Sequence, residues 1–265
     1  MNQPSINSIN FIHPDWPAPA RVKALQTTRV GGVSIAPYAS LNLGTHVNDD
    51  GISVAKNRQL LSPYLPSEPV WVNQVHGIDV IDAANSGCLA NNLTPSADAA
   101  FTTKDNVVCV TMTADCLPVL LCDTAGTVVA AVHAGWRGLC DGVIEAAIRK
   151  MHVPTSEILA WLGPAIGSTA FEVGHDVREA FIKYDTQAEQ AFKAIGEHKN
   201  DHENDKWLCD MYLIAKQRLN KLGVTQIYGG SVNEDFCTYT DEARFFSFRR
   251  DNVTGRMASL IWLSD

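Results

Sequence analysis

Residues 113–138 read TADCLPVLLCDTAGTVVAAVHAGWRG, and this stretch decides how the chain folds. Residues 119–122 and 128–132 are short, continuous apolar runs, the pattern of strands buried on both faces. Between them lies Asp123-Thr124-Ala125-Gly126-Thr127, a turn signal, so the two runs are expected to form a hairpin. With a three-residue loop flanked by Asp123 and Thr127, Cys116 falls opposite Ala134, one step from His133. Directly opposed residues hold their Cβ atoms roughly 5 Å apart, close enough to share an ion. Pro118 is expected to end the pairing, which leaves Cys116 at the rim of the sheet.

A cysteine and a histidine so placed admit three readings. They can be a buried thiol beside a core imidazole, since free cysteine packs as a small hydrophobe. They can be a nucleophilic pair in which the imidazole generates the thiolate. They can also be two ligands of a metal site, which needs at least one further donor. His76, between a strand end and Gly77, is the candidate for that donor, though spacing alone does not bring it to the other two.

Outward from the hairpin, strands are expected at 22–27, 70–72, 107–111, 158–162, 226–228 and 257–263. Helices are expected at 52–61, 141–152 with Asp141 as its cap, 176–184, 186–195 and 208–222. Gly31-Gly32 marks a turn and 85–96 a polar loop. The charged run 197–206 reads as a solvated loop, with its two histidines exposed rather than ligands. Strands and helices mix without a regular strand–helix–strand rhythm, so an α+β fold is favoured over a doubly wound sheet.

Composition narrows the function classes. The chain has 265 residues, 46% hydrophobic and 19% charged, enough for a large core. A net charge of −8 argues against nucleic-acid or anionic-membrane partners, while leaving room for a local basic pocket. No apolar stretch is long enough to span a bilayer, and the polar N-terminal residues carry no export signal. Seven cysteines, scattered and odd in number, fit a reducing, cytoplasmic setting better than a disulfide scaffold.

Three motifs, Asn73-Gln74-Val75-His76-Gly77, Thr113-Ala114-Asp115-Cys116-Leu117-Pro118-Val119 and His133-Ala134-Gly135-Trp136-Arg137-Gly138, together resemble the YfiH family, whose members also carry the laccase-domain or polyphenol oxidase label. Further matching motifs run in order along nearly the whole chain, among them 28–34, 42–44, 163–167, Phe245-Phe246-Ser247 and Thr254-Gly255-Arg256. The resemblance implies one domain over 1–265, a single-domain α+β sandwich with mixed β-sheets and flanking helices, similar to the catalytic domain of cytotoxic necrotizing factors. It also implies that His76, Cys116 and His133 are metal ligands and the catalytic centre, with one zinc ion as cofactor; copper would load onto such a site in vitro.

The family's labels imply different activities. A multicopper oxidase needs paired His-X-His motifs and more imidazoles than the eight histidines present, so the laccase reading is disfavoured. A purine nucleoside phosphorylase, with adenosine deaminase and methylthioadenosine phosphorylase side activities, suits a His₂Cys zinc with an open position. An amidase removing serine from a UDP-muramoyl amino acid would use the same centre, and a non-catalytic zinc or redox-sensing module would close it with a fourth ligand. Phosphorolysis also needs cationic donors. Arg29 beside the glycine turn leads, followed by Arg137 and Arg249-Arg250, with Asn42 and Gln74 as hydrogen-bonding candidates for ribose or purine. Asp98 is read either as orienting a ligand histidine or as capping a turn. Asp115 is read as facing away from the metal, Cys237 as packing, and Trp136 as either core or a base-stacking ring.

Overall fold

The computed structural model describes residues 9–86, 94–196, 205–230 and 235–265. Its strands are β1 (Phe11–Ile12), β2 (Val22–Thr27), β3 (Val80–Asp82), β4 (Ala99–Thr102), β5 (Cys109–Thr113), β6 (Leu117–Asp123), β7 (Val129–Ala134), β8 (Ile158–Leu162), β9 (Glu172–Gly174), β10 (Phe192–Ile195), β11 (Lys206–Cys209), β12 (Gln226–Gly229) and β13 (Met257–Leu263). The helices are α1 (Gly51–Gln59), α2 (Ala83–Ser86), α3 (Trp136–Asp141), α4 (Val143–Met151), α5 (His175–Tyr184), α6 (Met211–Lys221) and α7 (Phe248–Asp251).

Among the described residues the strands form three sheets: a six-stranded one in the order β12-β8-β6-β7-β4-β3, a four-stranded one in the order β1-β2-β13-β5, and a small β10-β11-β9 sheet. The six-stranded sheet is mixed, with β12 parallel to β8 and β3 parallel to β4 while the middle pairs are antiparallel. This is the expected α+β sandwich with mixed sheets and flanking helices.

Period-two alternation explains why β6, β7 and β13 are buried at every position. On one face of the large sheet, Leu117, Val119, Leu121 and Val132 pack under α4 and α6 through Ile144, Ile148 and Leu219. On the other, Leu120, Cys122, Val129, Ala131 and Trp161 meet Ile261 and Leu263 of the second sheet. The far side of that sheet is covered in turn, with Leu25, Leu260 and Trp262 packed against Leu41, Leu43 and Leu61.

The hairpin departs from its expected register by one residue. Leu117 pairs with Ala134, Pro118 with His133 and Cys122 with Val129. The Asp123 carboxylate is the cause: it accepts from the Thr127 and Val128 amides at 2.6 and 3.0 Å and from the Thr127 hydroxyl, which widens the turn. Pro118 does not end the ladder, which runs on to Leu117. Cys116 still lies just outside the strand.

Other boundaries shift for local reasons. Gly142, at φ 101°, separates α4 from an unexpected preceding helix, α3, so the helix expected over 141–152 starts at Val143 and Asp141 ends α3 instead of capping α4. Residues 186–195 split into a 3₁₀ turn and β10, and Asp210 starts α6 by accepting from the Leu213 amide after β11 has ended. The Val70 segment makes only an isolated bridge to Cys109. Of the charged run, 197–204 lie outside the described residues and Lys206 opens β11; most of the polar loop, 87–93, also lies outside them.

Candidate metal centre

One end of the large sheet gathers the start of β6, the end of β7, the residue before β4, and the strap 73–77. The strap is tied to that end by Asn73, whose amide donates to the Pro95 carbonyl and whose carbonyl accepts from the Ala97 amide. Here His76, Cys116 and His133 offer donor atoms that all lie within 4.8 Å of one another. Cys116 Sγ sits 3.7 Å from His76 Nε2, and the two imidazoles meet edge to face with centroids 4.8 Å apart.

Asp98 organises this cluster. Its carboxylate accepts from the amides of Val75, His76 and Gly77 at 3.2, 2.9 and 2.6 Å and bonds His133 Nδ1 at 2.8 Å. Both roles weighed from sequence are present, the turn cap and the histidine partner. An Nδ1–H donated to Asp98 leaves the His133 Nε2 lone pair for the cluster. The amide bonds hold His76 in the left-handed region, φ 61°. Asp115 is held there as well, φ 97°, with its carboxylate accepting from the Thr238 hydroxyl and the Arg249 amide, each at 2.6 Å. It stands apart from the three donors, and its strained turn aims Cys116 at the histidines.

The electrostatics suit a thiolate. Burial raises the Cys116 thiol, but the charge on His133 and hydrogen bonds from both imidazoles outweigh it and bring the group down to about 6. Burial works against His133 too, yet the thiolate and Asp98 lift it to about 9. Burial also opposes the Asp98 charge, and the bonds from His133, Gly77 and His76 overcome it and hold the carboxyl low. Metal-free protein is therefore expected to react with iodoacetamide at Cys116, with reactivity present above a midpoint near pH 6 and lost as pH falls through it. Cys109 and Cys122, whose thiols burial pushes up, stay unlabelled. Peptide mapping across that range checks the order; labelling of Cys109 before Cys116 would contradict it.

The cluster forms part of the wall of a cavity of about 270 Å³, together with His46, Gln74, Phe248 and Arg256. Only some of the other sequence candidates are here. Gln74 is, but both ends of its amide are bonded to the Met112 backbone, at 2.8 and 2.7 Å, so it clamps the strap to β5. Asn42 is fully buried and fixes the Arg256 amide through its Oδ1 at 2.8 Å. Arg137 is exposed and stacks on Trp136. Arg250 spends its guanidinium on the Thr238, Tyr239 and Phe245 carbonyls and on Asp251. Cys237 is buried and accepts from the Gly167 amide.

Arg29 lies elsewhere. It lines a separate open groove, donates to the Ala39 and Glu242 carbonyls, and stacks over Phe246. Arg29→Met is expected to lower stability by about 1–2 kcal/mol through those bonds, read by urea denaturation; an unchanged midpoint would deny it a bracing role.

The sequence reading missed His46, Phe248 and Arg256 as wall residues. Arg256 ends the Thr254-Gly255-Arg256 motif and Phe248 follows Phe245-Phe246-Ser247, so both stood beside a signal; His46 had none.

A family model described as multi-copper polyphenol oxidoreductase laccase matches residues 23–264. Purine nucleoside phosphorylase YfiH of Escherichia coli K12 is 51% identical over 255 residues, 96% of this chain and 98% of that protein. A purine nucleoside phosphorylase of Pseudomonas aeruginosa is 49% identical over 96% of this chain and 99% of its own length. Among solved structures, a Neisseria meningitidis protein superposes with a TM-score of 0.88 at 49% identity, covering 97% of this chain and all of that one (100%). YlmD of Geobacillus stearothermophilus gives 0.80 at 28% identity over 99% of this chain and 100% of that one.

Proposed function

Since this chain belongs to the laccase-domain family that includes the YfiH proteins, we propose that it is a zinc-dependent purine nucleoside phosphorylase whose centre is His76, Cys116 and His133. Inosine and adenosine are the substrates in this reading, with deamination of adenosine and phosphorolysis of methylthioadenosine as side activities. The observation that supports it most directly is the convergence of two imidazoles and a thiol on the wall of a cavity that also holds an arginine and an aromatic ring.

The donor set suits zinc. Two nitrogens and a sulfur are present, and among the described residues no further His, Cys, Asp or Glu donor joins the group. Three protein donors are the pattern of a catalytic zinc, whereas a structural zinc is closed by four. That favours an enzyme over a passive metal module. The same count weighs against multicopper chemistry, which needs several histidine-rich centres.

Bound zinc supplies a Lewis-acid centre at the cavity wall. The chain does the rest. Asp98 fixes the His133 tautomer and the strap that carries His76, Gln74 locks that strap to β5, and Arg256 contributes positive charge for an anionic reactant. Phe248 offers a flat apolar surface for a purine or ribose.

The test is a metal assay on protein purified without added metal, followed by phosphate-dependent release of hypoxanthine from inosine. Release that is lost in a folded Cys116→Ala variant supports the reading. Phosphate-independent turnover of a UDP-muramoyl-serine substrate, with nucleosides inert, would replace it with the amidase.

A further inference from the structure

Cys116 borders two cavities. The first is the one already described. The second, about 140 Å³, adjoins it, and both share Ala114, Cys116 and Phe248; its remaining wall includes Trp136, Ile166, Phe171, Met211 and Arg249. Neither is large, but together they fall in the ~300–1,000 Å³ range of small-molecule sites.

Their chemistry differs. The second is walled by aromatic and aliphatic side chains, and the Asp115 carboxylate is its one acidic group. Arg249, its cation, bonds the Glu172 carbonyl at 2.7 Å and stands on the same wall as Asp115, so the two charges offset each other. The first has no carboxylate on its wall. Arg256 there hydrogen-bonds the Thr254 and Gly255 carbonyls, and among the described residues no acidic side chain hydrogen-bonds it, although Cys116 and Asp115 act on its charge through space. Burial, then Arg256 and Arg58, and after them His133 and His76 hold His46 below its usual range, so the charges that act on it are cationic. Thr113, on the same wall, keeps a buried hydroxyl without a protein partner.

We infer that the two cavities divide the two reactants: the aromatic one takes the purine base, the cationic one takes inorganic phosphate, and the ribose bridges them past Cys116 and Phe248. The inference rests on the phosphorylase reading. Displacement at the anomeric carbon requires it geometrically, because the entering oxygen and the departing base lie on opposite sides of C1′. A phosphate oxygen bonds to C1′ as the C1′–N9 bond breaks, N9 keeps the electron pair, and the proton that hydrogen phosphate loses ends on the free base. Asp115 offsets the Arg249 charge on the base side, and the positive charge of Arg256 draws phosphate to the other.

The metal-loaded enzyme tests this with inosine and inorganic phosphate as probes. Arg256→Met is expected to raise KM for phosphate about tenfold or more while KM for inosine changes little. Trp136→Ala is expected to do the reverse, about tenfold on inosine. Both constants moving together in both variants would overturn the division. Wild-type enzyme gives a check independent of folding: calorimetric titration with hypoxanthine should show binding at saturating phosphate, and mutual exclusion would overturn it. If both ligands bind together but inosine is never cleaved, the phosphorylase reading fails and the two-cavity division stands.

Discussion

Asp98→Ala is expected to cost about 3–5 kcal/mol of folding stability, the scale of losing one member of a buried charged pair. The side chain is 1% exposed and serves four donors: the amides of residues 75 to 77 and His133 Nδ1. Alanine leaves all of them without that acceptor, His133 Nδ1 in a buried place that water reaches poorly. The effect extends beyond stability. His76 holds its left-handed backbone only because its amide and those on either side are fixed, and His133 loses the partner that sets its tautomer. Zinc affinity is expected to fall about 10–100-fold, as for other partners of metal-bound histidines. Asp98→Asn, which keeps one carbonyl oxygen, should fall between the two. Urea denaturation and competition with a chromogenic zinc chelator read both quantities. A stability within about 1 kcal/mol of wild type would show that the carboxylate is not the keystone of this loop.

That keystone was only half legible in the chain. The buried strands declared themselves through composition, because β6, β7, β8 and β13 are apolar along their length, and β2, β8 and β13 lie where the sequence placed them. Strands β3, β4 and β9 were missed. They are three or four residues long, too short for periodicity, and pairing across the sheets sets them more than any local preference. The hairpin brought Cys116 near His133 even with its register off by one, since the rim position tolerated the slip. His76 is different. It reaches the cluster through Asp98, a contact between residues 22 apart, and no local rule predicts such a contact. Arg29 is a different case: a glycine turn beside an arginine suggested a ligand site, and the structure places it away from the three donors with its guanidinium tying two loops together.

Gly135→Ala is expected to abolish most activity while leaving the fold intact, and the two effects separate because of where this glycine sits. Its backbone, at φ −65° and ψ 158°, is one that alanine adopts freely, so no conformational strain enters. As the N-cap of α3 it offers no side-chain bond, and alanine there costs about 1 kcal/mol at most. The added Cβ, however, would lie 2.6 Å from His76 Cδ2 and 3.2 Å from Cys116 Sγ. Asp98 fixes the His76 backbone, so the ring clears the added Cβ only by turning away about its own side-chain bonds, and Cys116 is held by the strained turn at Asp115. The donors must therefore spread. Displacing a reacting centre by about 1 Å costs on the order of 100-fold in rate, and at least that loss is expected in phosphate-dependent hypoxanthine release, together with weaker zinc binding. Thermal unfolding of the metal-free variant should stay close to that of metal-free wild type. Wild-type turnover and full zinc content in Gly135→Ala would show that the three side chains do not act as one compact centre.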